Sequence, residues 1–165
     1  MRYNMQTILH EAITMKRIAV LAAVLALVLS AVAFAEGEQD FGVFKAFVPD
    51  GWTATKDGST VSFVKDDNTS SMSITVDETE GASRKDITDA FVAEFKKTFK
   101  DVTAPQVDED GDYMFEMTND AGVKSTVLVT GNDKQYCLVV ITGLEAGGEG
   151  LAQILATAQH SVTGK

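Results

Sequence analysis

The chain has 165 residues and carries 24 acidic against 14 basic side chains, a net charge of -10. That balance argues against nucleic acid or anionic lipid head groups as partners. A lone cysteine, Cys137, leaves no internal disulfide to form, so stability has to come from packing in what the length suggests is one domain.

Residues 1–35 read as a targeting segment. Met15-Lys16-Arg17 supplies a start and two positive charges, and Ile18 to Phe34 is apolar except for Ser30. Ala33-Phe34-Ala35 has the small-x-small form that a signal peptidase cuts, so cleavage is expected between Ala35 and Glu36, where the composition changes to EGEQD. An uncleaved anchor is the alternative, because the apolar run is just long enough to span a bilayer. Residues 1–14 read as an upstream extension, with Met15 the expected start. No cysteine directly follows the apolar run, which argues against a lipid anchor. The expected mature part, residues 36–165, keeps 11 of the 14 basic and 23 of the 24 acidic side chains, a net charge of -12. It would be periplasmic or secreted, with no membrane insertion after cleavage.

Residues 36–40 are polar and are expected to be loose. Phe41 to Val48 predicts a first strand. Pro49-Asp50-Gly51 is turn chemistry, Pro presetting φ and Gly accepting a positive one. The only tryptophan, Trp52, opens a second strand that runs to Lys56. Two roles are open for it: a ligand-stacking aromatic on a loop, or a lid over the end of a small core. The tight turn before it and the alternating strands behind it favour the lid. Asp57-Gly58 is a hairpin signal, answered by Thr60 to Val64 with Val61 and Phe63 on one face. Met72, Ile74 and Val76 alternate with Ser71, Ser73 and Thr75, a half-buried strand with a hydroxyl-rich outer face.

The period then changes. Ile87, Phe91, Phe95 and Phe99 recur every four residues, which predicts one face of a helix of about four turns. Ser83 with Asp86 resembles a capping box, Asp taking the usual place of Glu. Lys96, Lys97 and Lys100 suit the negative end of the helix dipole. Three strands follow. Tyr113, Phe115 and Met117 alternate with polar neighbours. NDAG turns the chain into a strand with Val123, Val127 and Val129 on one face. GNDK turns it again into QYCLVVITG, whose continuous apolarity predicts a central strand covered on both sides. Gly147-Gly148 breaks the pattern before a last helix that carries Leu151, Ile154, Leu155, Ala158 and Val162.

These elements predict an α+β domain, an antiparallel sheet of about six or seven strands covered by two helices, with cover on both faces or a strongly curled sheet. FVPDGWTA, a glycine-turned hairpin, an alternating strand, an aromatic-faced helix and KSTVLVTGNDKQYCLVVITG with its closing helix together resemble the PsbP-like superfamily. That group includes the extrinsic P protein of photosystem II, the Ran-binding Mog proteins and bacterial exported DcrB-like proteins. The resemblance covers most of residues 41–162. It implies an antiparallel sheet between helices and a non-catalytic accessory role, and it carries over no site residues.

Few residues point to chemistry. A serine or cysteine nucleophile needs a neighbouring base. His160, beside Ser161, is the single histidine after residue 35, and adjacent helix residues do not face each other. Cys137 sits in the most apolar strand, where a thiol without a cationic neighbour is inert. Asp108, Asp110 and Asp112 in VDEDGDY echo the start of a calcium loop, with the glycine one place early and no closing Glu. They are the candidate metal ligands, and calcium the candidate ion, against the plainer reading of a solvated turn. GGEG at 147–150 lacks the Lys-Ser/Thr of a phosphate loop. The sequence therefore points to a non-catalytic accessory or binding module whose partner in the cell envelope is a protein or small molecule, with Trp52 the candidate contact. A carboxylate-based hydrolase and a calcium-dependent module are the alternatives.

Overall fold

The computed structural model describes residues 37–163; residues 1–35, read above as a targeting segment, and the expected cut between Ala35 and Glu36 lie outside the described residues. The chain forms β1 (Gly37–Asp40), β2 (Lys45–Val48), β3 (Trp52–Asp57), β4 (Thr60–Lys65), β5 (Ser71–Glu78), α1 (Arg84–Thr98), β6 (Asp101–Val102), β7 (Gln106–Val107), β8 (Tyr113–Thr118), β9 (Lys124–Gly131), β10 (Gln135–Thr142) and α2 (Leu144–Thr163). This is the α+β architecture the sequence predicts. An antiparallel sheet runs in the order β3-β4-β5-β10-β9-β8-β6, with β7 also paired to β8. The sheet has eight strands against the six or seven expected, six of them of six residues or more. The two extra ones, β6 and β7, have two residues each and are too short to show a period.

The first segment departs from expectation. Residues 37–40 are not loose, and Phe41–Val48 is not one strand. β1 and β2 form a separate two-stranded hairpin. Its turn is apolar and so resembles strand in sequence. Phe41 N–H donates to Phe44 O at 3.0 Å, and Asp40 Oδ1 accepts from Gly42 N–H at 2.7 Å, with Gly42 at φ 81. Both phenylalanines are buried. Phe41 packs on Phe44 and edge-on to Phe63, with ring centroids 5.6 and 5.7 Å apart.

β10 sits at the centre, paired with β5 on one side and β9 on the other. Its alternate side chains point into two different layers, because successive strand residues face opposite sides. Cys137, Val139 and Ile141 join Val61, Phe63, Met72, Ile74 and Trp52 in a cluster closed by the hairpin and by Leu151, Ile154 and Ala158 of α2. Tyr136 faces the other way and meets Phe91 of α1, centroids 5.8 Å apart. Phe95 stacks on Phe91 at 6.0 Å and reaches Phe115 of β8 at 6.0 Å. Both sides of the central strand are covered, as its continuous apolarity demands. Each fully buried Phe or Val contributes about 1.5–3 kcal/mol relative to exposure.

The α1 side is covered only in part. α1 rests on β6, β8 and β9. Beyond it, the same side of β3, β4 and β5 presents half-buried Thr53, Thr55, Ser62, Ser71 and Ser73, the hydroxyl-rich outer face read from the sequence, except that Thr75, expected on it, is buried and paired with the Thr60 hydroxyl at 2.8 Å. Lys56 lies on the opposite, core side of β3, across from Val61, and its Nζ donates to Phe41 O at 2.5 Å.

Val123, expected within a strand, lies just before β9 and is exposed. It belongs to the turn, where its N–H donates to Asn119 Oδ1. Among the described residues no helix is long and apolar enough to cross a membrane.

Candidate functional site

Trp52 follows its turn into the interior. Its N–H donates to Pro49 O at 3.2 Å, and the residue is 8 % exposed. Gly150 of α2 lies against the indole, so close that a Cβ there would stand 2.5 Å from Trp52 Nε1. A Cβ on Gly147 would overlap Leu151 and Ser70 Oγ. Gly148 takes φ 48 and ψ -132, a break in the helix that glycine tolerates. The GGEG run is thus spelled for close approach of the helix to the core lid. Here the structure puts Trp52 in the core cluster.

The aspartate loop is tied to itself and to α1. Asp108 Oδ1 accepts from the backbone N–H groups of Asp110 and Asp112 at 3.0 and 2.9 Å. Asp112 receives Arg84 Nη1 on one oxygen and Thr130 Oγ1 on the other at 2.8 Å. Asp112 thereby straps the start of α1 to β9. Asp108, Asp110 and Asp112 are not brought together as a ligand set: among the described residues, no group of three or more His, Cys, Asp and Glu is placed to hold a metal ion.

Cys137 is buried on the α2 side. Burial, with a smaller push from the negative charge of Asp112, raises its thiol to about 12. It stays protonated and unreactive at neutral pH. Asp67 shows the opposite effect in an exposed turn. Hydrogen bonds from the Thr69 hydroxyl and N–H hold its carboxyl down to about 2, which favours the ionised form and suits no acid catalyst.

His160 and Ser161 border a concavity that gathers mixed polar groups. It is a groove of about 380 Å³ lined by Glu38, Lys45, Ala156, Thr157, His160 and Ser161. The hairpin makes one wall and α2 the other. The two are tied by an unusual seam, because the edge amides of β2 have no neighbouring strand on that side. Lys45 N–H donates to Ser161 Oγ at 2.8 Å, and Phe47 N–H to Thr157 Oγ1 at 2.9 Å. Thr157 in turn donates back to Gln153 O at 2.8 Å. The spacing of residues 157 and 161, one helical turn, matches alternate amides of a strand. Ala156, with no side chain beyond Cβ, leaves the space between them open.

The groove was not legible in the sequence. It depends on β1, which reads as loose polar chain, and on a register between β2 and α2 across more than a hundred residues. The one signal present is the Thr157/Ser161 pair at helical spacing.

No protein-family model matches the sequence. No curated protein matches it either. Among solved structures, the chain is similar to the solution structure of cyanobacterial PsbP (CyanoP) from Synechocystis sp. PCC 6803. The identity is 13%, the match covers 82% of this chain and 96% of that one, and the TM-score is 0.46.

Proposed function

We propose that this chain is an exported, non-catalytic accessory domain that works as a binding module in the cell envelope. One observation carries the reading: Cys137, Asp112, Thr157 and Ser161 are each engaged in holding the fold. Cys137 is core. Asp112 straps α1 to β9. Ser161 and Thr157 seat the hairpin. A catalytic set needs a nucleophile or acid with an oriented partner facing substrate, and these groups are turned to backbone or to one another instead. The apolar run before Ala33-Phe34-Ala35 supports export.

Two measurements test the reading. The first is fractionation of the expressing cell with N-terminal sequencing of the released chain, which should begin at Glu36. Retention of the uncut chain in the cytoplasm would remove the export half. The second is photo-cross-linking in the cell from probes placed at Lys45 and, on α1, at Lys97. A module yields one discrete adduct from one of the two positions. Identical diffuse adducts from both sink the binding half.

A further inference from the structure

The groove between the hairpin and α2 brings a lysine and a glutamate of opposite charge to one concave surface without pairing them. The ion pairs among the described residues are Lys65–Asp67, Arg84–Asp112, Lys85–Asp89 and Lys97–Glu94. Neither Lys45 nor Glu38 takes part in them, although both line the groove. The two share one side of the hairpin, because Glu38 pairs with Phe47 and Lys45 with Asp40. Their rungs are two apart, about 7 Å along the strands. Asp40, directly across from Lys45, is turned to Gly42 N–H instead. Ser161 accepts from Lys45 N–H and keeps its own hydroxyl proton to donate. The groove thus presents an ammonium and a hydroxyl donor at one end and a carboxylate at the other, with Ala156 and Thr157 beneath and His160 beside them.

We propose that this groove binds a small zwitterion, an α-amino acid or dipeptide. Its carboxylate sits at Lys45 Nζ and the Ser161 hydroxyl, and its ammonium sits at Glu38. The inference rests on the binding-module reading and names the ligand class of that module. Opposite charges at a fixed separation select a ligand that carries both over one that carries either. The walls are fixed beforehand by the Thr157 and Ser161 seam, which reduces what must be ordered on binding. Because the charges face solvent, the affinity is expected to be millimolar and to weaken with salt.

The test is an amide NMR titration of the full chain with Ala-Ala, with N-acetyl-Ala-Ala and Ala-Ala amide as ligands lacking one charge each. Ala-Ala is expected to shift the amides of residues 38, 45, 157, 160 and 161 saturably, and each blocked ligand to bind at least tenfold more weakly. Lys45→Ala and Glu38→Gln are each expected to weaken Ala-Ala about tenfold. Both residues are exposed, and an unchanged amide spectrum of each variant before titration establishes that it is folded. Lack of saturable shifts, equal binding of a blocked ligand, or shifts centred elsewhere overturns the proposal. A silent groove beside a discrete cross-linked partner would leave the binding-module reading standing. Saturable shifts without a cross-linked partner would leave the ligand class standing.

Discussion

The two helices are seated by opposite means. α1 begins at a capped end, Ser83 Oγ accepting from Asp86 N–H at 3.1 Å, and drives Phe91 and Phe95 into the aromatic layer with Phe115 and Tyr136. α2 begins in a glycine run that is broken at Gly148. It approaches through small residues, laying Gly150 on Trp52 and offering hydroxyls to the hairpin. One helix fills space and the other closes it. The difference teaches where each layer is vulnerable: α1 to truncation of its rings, and α2, beside the Leu151 and Ile154 it also buries, to enlargement at its glycines.

The strongest way to break this contrast is Phe91→Ala. Truncating a buried phenylalanine costs about 3–5 kcal/mol, read as a lowered urea midpoint with an unchanged slope. A loss near zero would mean that α1 is not held by its rings. Gly150→Ala comes next. A single methyl against the indole is expected to cost about 1–3 kcal/mol through overpacking and to shift the Trp52 fluorescence, whereas an Ala at a solvent-facing helix glycine would stabilise. Thr157→Val keeps the shape of the seam and removes the acceptor of Phe47 N–H. Leaving that amide unsatisfied is expected to cost about 1–3 kcal/mol, toward the low end because it is only partly buried, with hydrogen exchange at Phe47 accelerated ahead of exchange in β10. Ser83→Ala removes one cap, worth about 1 kcal/mol, and should speed exchange in the first turn of α1 alone.

The pH dependence sharpens the same comparison from the α2 side. The Cys137 thiol rises from an ordinary 9.0 to about 12 on folding. A raised group adds stability that is complete below its unfolded value and is lost as pH climbs toward the folded one. Stability should therefore fall between about pH 9 and pH 12, and Cys137→Ala should flatten that part of the profile. Alkylation of the thiol at pH 8 reports opening of the α2 layer. Gly150→Ala should accelerate it in the absence of denaturant, through local opening, and Ser83→Ala should not.

The difference between the helices also explains what could be read in advance. α1 is written in large residues four apart with a cap before them, and the helix, its face and its start follow from that pattern. β8 and β9 are written in alternation and β10 in an unbroken apolar run, and the strands and the double cover of β10 follow as well. The hairpin is not written this way. Its turn carries Phe41 and Phe44, residues that spell strand, and its first strand carries Glu38, Gln39 and Asp40, residues that spell loop. Only the packing of Phe41 on Phe63 decides between them, and that contact is tertiary. Trp52 was legible as a lid because the turn before it is local. The groove was illegible because both of its walls are set by distant partners. The aspartates of VDEDGDY have context that their spacing does not carry: Arg84, far away in sequence, pairs with Asp112.

Lys56 has a consequence for behaviour in concentrated solution. β3 ends the sheet order, so its outer backbone groups are offered to any passing strand. A second molecule that docked there edge to edge would have to accommodate an ammonium pointing inward, already engaged by the Phe41 carbonyl. Sheets blunt an unprotected margin with such inward charges. The residue that fastens the turn of the hairpin is thus also expected to blunt this edge, and a neutral aliphatic residue in its place is expected to raise self-association, read by light scattering of concentrated solutions.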